Sequence, residues 1–219
     1  AERKVGGLKG KISGLSGTAK LALASAATAV AAFVGSSVNE YVKAETAQAR
    51  LSDAYKKFPQ LAGANVDALR DLNTELAKKT QFDDDATASA QSVLAQFGLT
   101  HDELMKVTPL LQDYAAKTGK DLPSAATDLG KAVLGQGRAL KGVGIDFKDT
   151  GTKAGNLEEL MGGLNDKVGG FAEVAGDTAA GKAAILKNQF GELQEKVGKA
   201  LVPALSKLAD IIIADVLPT

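Results

Sequence analysis

Between Leu23 and Phe58 the residues Leu23, Ala27, Val30, Val34, Ser37, Tyr41, Ala44, Gln48, Leu51, Tyr55 and Phe58 recur at alternating steps of four and three. That rhythm lays all of them along one stripe of an α-helix, the seam by which helices wind together. A strand, whose side chains alternate with a period of two, has no use for it. Ser37 and Gln48 put polar groups on the seam, as happens where register matters more than raw stability. Pro59 stops it, because proline lacks the N–H and its ring clashes with the preceding turn. One helix of about 40 residues runs about 60 Å at 1.5 Å per residue, longer than the core of a small domain can cover.

The first half of that helix reads in two ways. From Leu21 to Asn39 there is no charged residue, and the stretch is about long enough to cross a bilayer. Only Leu21, Leu23, Val30, Phe33, Val34 and Val38 are strongly apolar within it; Ala, Ser, Thr and Gly fill the rest. It is therefore either an Ala-rich helix with a small-residue face or a conditional membrane segment. Ahead of it, residues 1–17 hold five Gly and two Ser among scattered Lys, which predicts a flexible lead. The sequence begins at Ala1 rather than Met, which suggests processing or a fragment.

Residues 59–150 predict a run of short helices with clear punctuation. Asn65 caps a helix bearing Val66, Leu69, Leu72 and Leu76, closed by Lys78 and Lys79. Asp83, Asp84 and Asp85 open the next, facing its free amides; they lack the alternating acidic spacing of a calcium loop. Thr100 and Glu103 form a capping box, leaving His101 on the first helical residue and exposed to solvent. Thr108-Pro109 reads as a further helix start, and Gly119 as its stop. Another helix spans Asp121 to Leu134. Six glycines fall between 135 and 155, around the alternation Val143, Ile145, Phe147, so Gly135, Gly137, Gly142 and Gly144 are expected to form a hinge or elbow. Residues 151–219 predict C-terminal helices: one starting near Asn156, paired with Glu159, and a long one carrying Leu186, Phe190, Leu193, Val197, Leu201, Leu205, Leu208 and Ile212, bent or restarted at Pro203. The expectation is all-α, with a long N-terminal coiled-coil-like helix, several short helices with Gly elbows, and a long C-terminal helix.

Composition narrows the chemistry. No Cys and one His remove thiolate metal sites, cysteine nucleophiles and multi-histidine clusters. The 26 basic and 26 acidic residues cancel, so a strongly basic nucleic-acid-binding domain is excluded. Alanine accounts for 38 residues and Trp for none, which predicts thin packing rather than a dense aromatic core. Gly176 to Ala183 approaches a phosphate-binding loop, yet Ala183 follows Lys182 where a hydroxyl is needed and no strand precedes it. Gly135-Gln-Gly137 and Gly142-Val-Gly144 lack the dinucleotide spacing. Glu158 and Glu159 are adjacent and point apart on a helix, unlike a hydrolytic pair. No catalytic residue, cofactor or metal is expected. Self-association is, through Val30, Val34, Tyr41, Leu51, Tyr55 and Phe58 on one seam and Leu186, Phe190, Leu193 and Val197 on the other.

A series of blocks then follows in order: Thr80-Gln-Phe-Asp-Asp-Asp85, Leu122-Pro-Ser-Ala-Ala126, Leu134-Gly-Gln-Gly-Arg-Ala-Leu-Lys-Gly-Val-Gly-Ile145, Val168-Gly-Gly-Phe171, Thr178-Ala-Ala-Gly181, Leu186-Lys-Asn-Gln-Phe-Gly191 and Val197-Gly-Lys-Ala-Leu-Val-Pro203. In this order they resemble the helical region of tail tape measure proteins of long-tailed phages, prophages and gene-transfer particles, over about residues 65 to 210. No single block is specific, and no hydrolase motif of the kind found in some relatives is present. The resemblance implies a virion structural protein that lies in several copies in the tail tube lumen, sets tail length during assembly in the host cytoplasm, and leaves ahead of the DNA. It implies as partners other copies of the chain, tail tube and tail tip proteins, tail assembly chaperones and, on ejection, the host membrane, with no specific nucleic-acid binding. Fully helical, the chain reaches only about 330 Å, less than many tails need. The alternative is a membrane-active, pore-forming helical protein using residues 21–39.

Overall fold

The computed structural model describes the backbone of residues 17–216 and the side chains of residues 28–207. The predicted Gly-rich lead up to residue 16, and the side chains of Leu21, Leu23, Leu208 and Ile212, lie outside the described residues. Among the described residues every regular element is helical and none is a strand. Eight α-helices follow one another: α1 (Gly17–Lys57), α2 (Val66–Ala77), α3 (Asp84–Gln96), α4 (His101–Thr118), α5 (Leu122–Val133), α6 (Lys153–Val168), α7 (Phe171–Asp177) and α8 (Ala179–Val216). Two 3₁₀ turns, Pro59–Leu61 and Gly137–Val143, complete the series.

The chain divides into two compact units, and the divisions fall inside α1 and α8. One unit is a helical bundle, Val42–Glu192; the other joins the described residues up to Tyr41 with those from Leu193 onward.

In the bundle, α4 is the central element and packs against α2, α3, α5, α6, α7 and the Gly137–Val143 turn. Leu104, Val107, Leu111, Tyr114 and Ala115 are buried along it. Helices α3 and α5 pack together, and both carry buried small residues: Ala88, Ala90 and Ala95 on one, Ala125, Ala126 and Ala132 on the other. A β-carbon on Gly130 would overlap the Phe97 ring, so a glycine is what lets that ring lie on α5. The alanines thus trade side-chain bulk for close helix approach, and density is kept without aromatic mass.

A helix covered on so many sides also buries polar groups, which must find partners inside. Asn73 on α2 and Gln91 on α3 exchange reciprocal amide bonds of 2.9 and 2.6 Å, and the Gln91 amide also donates to Thr108 Oγ1 at 3.1 Å. Beside them the Gln112 amide donates to Thr87 Oγ1 at 3.0 Å and accepts from Thr80 Oγ1 at 2.9 Å. Thr108 and Thr87 pass their own protons to backbone carbonyls one turn back, Leu104 and Asp83. The set links α2, α3 and α4.

Several local expectations are corrected. Thr108-Pro109 starts no helix: α4 runs through Pro109 without interruption. Asn156 caps nothing, because α6 begins at Lys153 behind Thr152, whose hydroxyl accepts from Gly155 N–H. Asn156 is buried inside α6 instead; it accepts from Thr150 N–H at 2.7 Å and donates to the Asp149 carboxylate and the Val133 carbonyl. The glycine elbow at 135–144 lies within the bundle. Gly135 and Gly144 take left-handed φ values of 88° and 76°, and a β-carbon on Gly137 would collide with the Phe147 ring. Leu140 and Ile145 are buried, with Val143 and Phe147 packed on the core. Gly142 has nothing near its would-be β-carbon. The segment is an elbow seated on the bundle.

In the second unit α1 and α8 cross at Ser37 and Gly198, where a β-carbon on Gly198 would overlap the Ser37 carbonyl oxygen. The Gln194 side-chain amide donates to Ser36 Oγ beside the crossing.

Candidate functional site

His101, Asp113 and Tyr114 each make short polar contacts within the bundle. His101 is not solvated as expected. It is half-buried, and its Nδ1 lies 2.7 Å from the Tyr55 hydroxyl, the two rings meeting edge-on with centroids 6.1 Å apart. Burial pushes the Tyr55 phenol up to about 12, so this hydroxyl keeps its proton. The capping box that positions His101 is present as predicted: Thr100 Oγ1 accepts from Glu103 N–H, and Glu103 Oε2 accepts from Thr100 N–H at 2.7 Å.

Asp113, buried on α4, accepts from Gly170 N–H at 2.9 Å and Ala172 N–H at 2.8 Å and so caps the head of α7 from another helix. Desolvation raises its carboxyl above the ordinary value and outweighs the lowering by those amides. One turn on, the Lys117 ammonium sits 4.5 Å above the Phe171 ring. Tyr114, wholly buried, donates to Asp128 Oδ2 at 3.1 Å, and Asp128 is ion-paired with Lys120. Burial, with the Asp128 charge behind it, raises the Tyr114 hydroxyl far beyond its usual range.

The stretch Gly176 to Lys182 forms a corner between α7 and α8. A β-carbon on Gly176 would meet the Lys79 carbonyl oxygen and one on Gly181 the Ala175 carbonyl oxygen, so these glycines serve backbone contact. Thr178 Oγ1 accepts from Gly181 N–H at 3.0 Å. Asp83 to Asp85 open α3 as expected, with Asp83 at the cap. The fold adds one juxtaposition that spacing did not reveal: oxygens of Asp83, Asp84 and Glu192 lie within 4.8 Å of one another, all three residues half-buried.

The predicted association residues separate into two groups. Leu51, Tyr55 and Phe58 belong to the bundle: Leu51 is wholly buried, and the two aromatics pack on its core. Gln48, read as a polar interruption of the seam, accepts from Arg70 Nε at 2.8 Å, and Ser52 accepts from the same guanidinium at 3.2 Å. This stretch of the seam therefore docks on its own chain, and no coiled coil is seen along it. Val34, Tyr41 and Val197 are half-buried. In the bundle Leu186 is 65% exposed and Phe190 52%; in the other unit Val30 is 62% exposed and Leu193 53%. Within the bundle, Leu186 and Phe190 lie one helical turn apart on α8 and both face solvent. Of the possible membrane segment, Phe33, Val34 and Val38 are half-buried and Val30 is exposed. Among the residues searched, no helix is long and apolar enough to cross a membrane.

No family model matches the chain, and no curated protein or solved structure matches it.

Proposed function

We propose that the chain is a noncatalytic tail tape measure: copies lie together in the tail tube lumen, set tail length in assembly, and leave during genome ejection. The observation that carries this reading is the exposed series Leu186, Phe190 and Leu193 on α8, stepped by four and three as a helix seam requires. An all-helical chain rich in alanine supplies slender material for packing copies side by side, and its balanced charge gives no overall field, so nucleic acid is met only locally. The ordered blocks from Thr80 to Pro203 support the same reading.

Sibling copies are the first partners, meeting through α8 and Val30, since Leu51, Tyr55 and Phe58 are already engaged in the bundle. Tube and tip proteins and assembly chaperones are the further partners of this role, with the host membrane met on ejection.

Because residues 42–58 are held by the bundle, the test adds length ahead of them. Duplicating residues 27–40 adds 14 residues to α1, about 20 Å of helix. Particles assembled with that chain are expected to carry tails longer by about that amount in electron micrographs, and tails of unchanged length overturn the proposal. Dye release from liposomes by the purified chain alone, abolished by charged substitution at Val30 and Phe33, would instead establish the membrane-active alternative on residues 21–39.

A further inference from the structure

The Gly137–Val143 turn carries charges that the bundle does not use. With three residues per turn, a 3₁₀ helix stacks Arg138 and Lys141 on one side, about 6 Å apart along its axis. Leu140 points inward and is wholly buried. Lys131, in the last turn of α5, lines the same open cleft of about 800 Å³. All three cations are exposed, and none has an ion pair or side-chain hydrogen bond to another described residue. Two carboxylates, Asp128 and Asp149, line the cleft beside the three cations. Asp128 holds the Lys120 ammonium and the Tyr114 hydroxyl. Asp149 accepts from Gly151 N–H and the Asn156 amide, which together keep its carboxyl below the usual range.

Like charges stacked one turn apart repel, and an anion between them relieves the repulsion. The platform is also fixed before any ligand arrives, by Leu140 and Ile145 in the core and by the Phe147 ring against Gly137. The backbone that carries the cations is thus ordered in advance, and only their side chains lose freedom on binding. The guanidinium favours phosphate through its forked donors. The cleft is open and its cations come from two elements, which suits an extended polyanion touching several of them better than one enclosed ion.

We propose that Lys131, Arg138 and Lys141 form a phosphate-binding surface that takes the phosphodiester backbone of nucleic acid without sequence preference. A soluble phosphate presents the same group, so the experiment separates the two sources. Anisotropy of a labelled mixed-sequence DNA duplex is followed with the full chain between about 50 and about 200 mM salt; three contacts predict a log–log salt slope of about −2 to −3. Arg138→Glu/Lys141→Glu is expected to weaken binding by at least about tenfold, with helicity unchanged by circular dichroism, whereas Lys106→Glu, an exposed cation of α4 outside the cleft, binds as the parent does. Undiminished binding by the double variant, equal loss in Lys106→Glu, or no binding at the lower salt overturns the proposal. Displacement of DNA by low millimolar inorganic phosphate reassigns the cleft to small phosphates. Displacement by polyglutamate as effective as that by unlabelled DNA removes the preference for phosphate altogether.

Discussion

Asp113 is a buried carboxylate whose cost is offset by two amides of another helix. Removing it in Asp113→Ala leaves Gly170 and Ala172 N–H without their acceptor, and a loss of about 1–3 kcal/mol is expected in chemical denaturation. Its raised carboxyl also fixes a sign. The folded protein holds that proton more tightly than the unfolded chain, so this group's contribution is complete below the ordinary value of 3.8 and is lost as pH climbs through the higher folded value. The stability of the parent is therefore expected to fall, relative to Asp113→Asn, as pH rises above about 4; a difference that widens in the parent's favour contradicts this account. The His101 contact is a smaller case, where Tyr55→Phe removes one hydrogen-bonded hydroxyl and is expected to cost about 0.5–1.5 kcal/mol in the same assay. The capping box around His101 was legible because it is local. Its partner 46 residues upstream was not, since Tyr55 reads equally well as one more seam residue.

Two glycines of α8 make opposite predictions within one element. Nothing lies near the would-be β-carbon of Gly191, so Gly191→Ala should stabilise by about 0.5–1 kcal/mol through helix propensity. Gly198 meets the Ser37 backbone, so Gly198→Ala must push α1 and α8 apart, at about 1–3 kcal/mol. Hydrogen exchange at the amides of residues 28–41 reads that separation directly; unchanged protection would mean that the crossing contributes nothing. Most of the elements, with the caps at Asn65 and Thr100, were legible in the sequence, because a cap depends on neighbours within one turn. It misplaced the start at Thr108-Pro109 and the cap at Asn156. Both decisions belong to tertiary packing: α4 is held through its proline by helices on several sides, and Asn156 is recruited by Thr150, Asp149 and Val133.

For the whole molecule, the seam of α1 was legible but its owner was not. Periodicity shows that one helical stripe must be covered, and it cannot distinguish a sibling copy from α2 and the rest of the same bundle. Ala44, Leu51 and Ala54 are closed off by this chain, while Leu186 and Phe190 stay in solvent. The paired change Leu186→Glu and Phe190→Glu is accordingly expected to lower the mass seen in analytical ultracentrifugation while leaving helix content and melting temperature nearly unchanged, surface substitutions of this kind staying within about 0.5 kcal/mol. A fall in melting temperature with no change in mass would return those side chains to the fold. The interlocked amides of Asn73, Gln91 and Gln112 carry a last implication. An oily interface among small residues slides by one turn at little cost, but here such a slip would orphan several dipoles in a dry interior at once. Helices α2, α3 and α4 should therefore come apart as a single catch, intact or sprung, with no half-open state to dwell in.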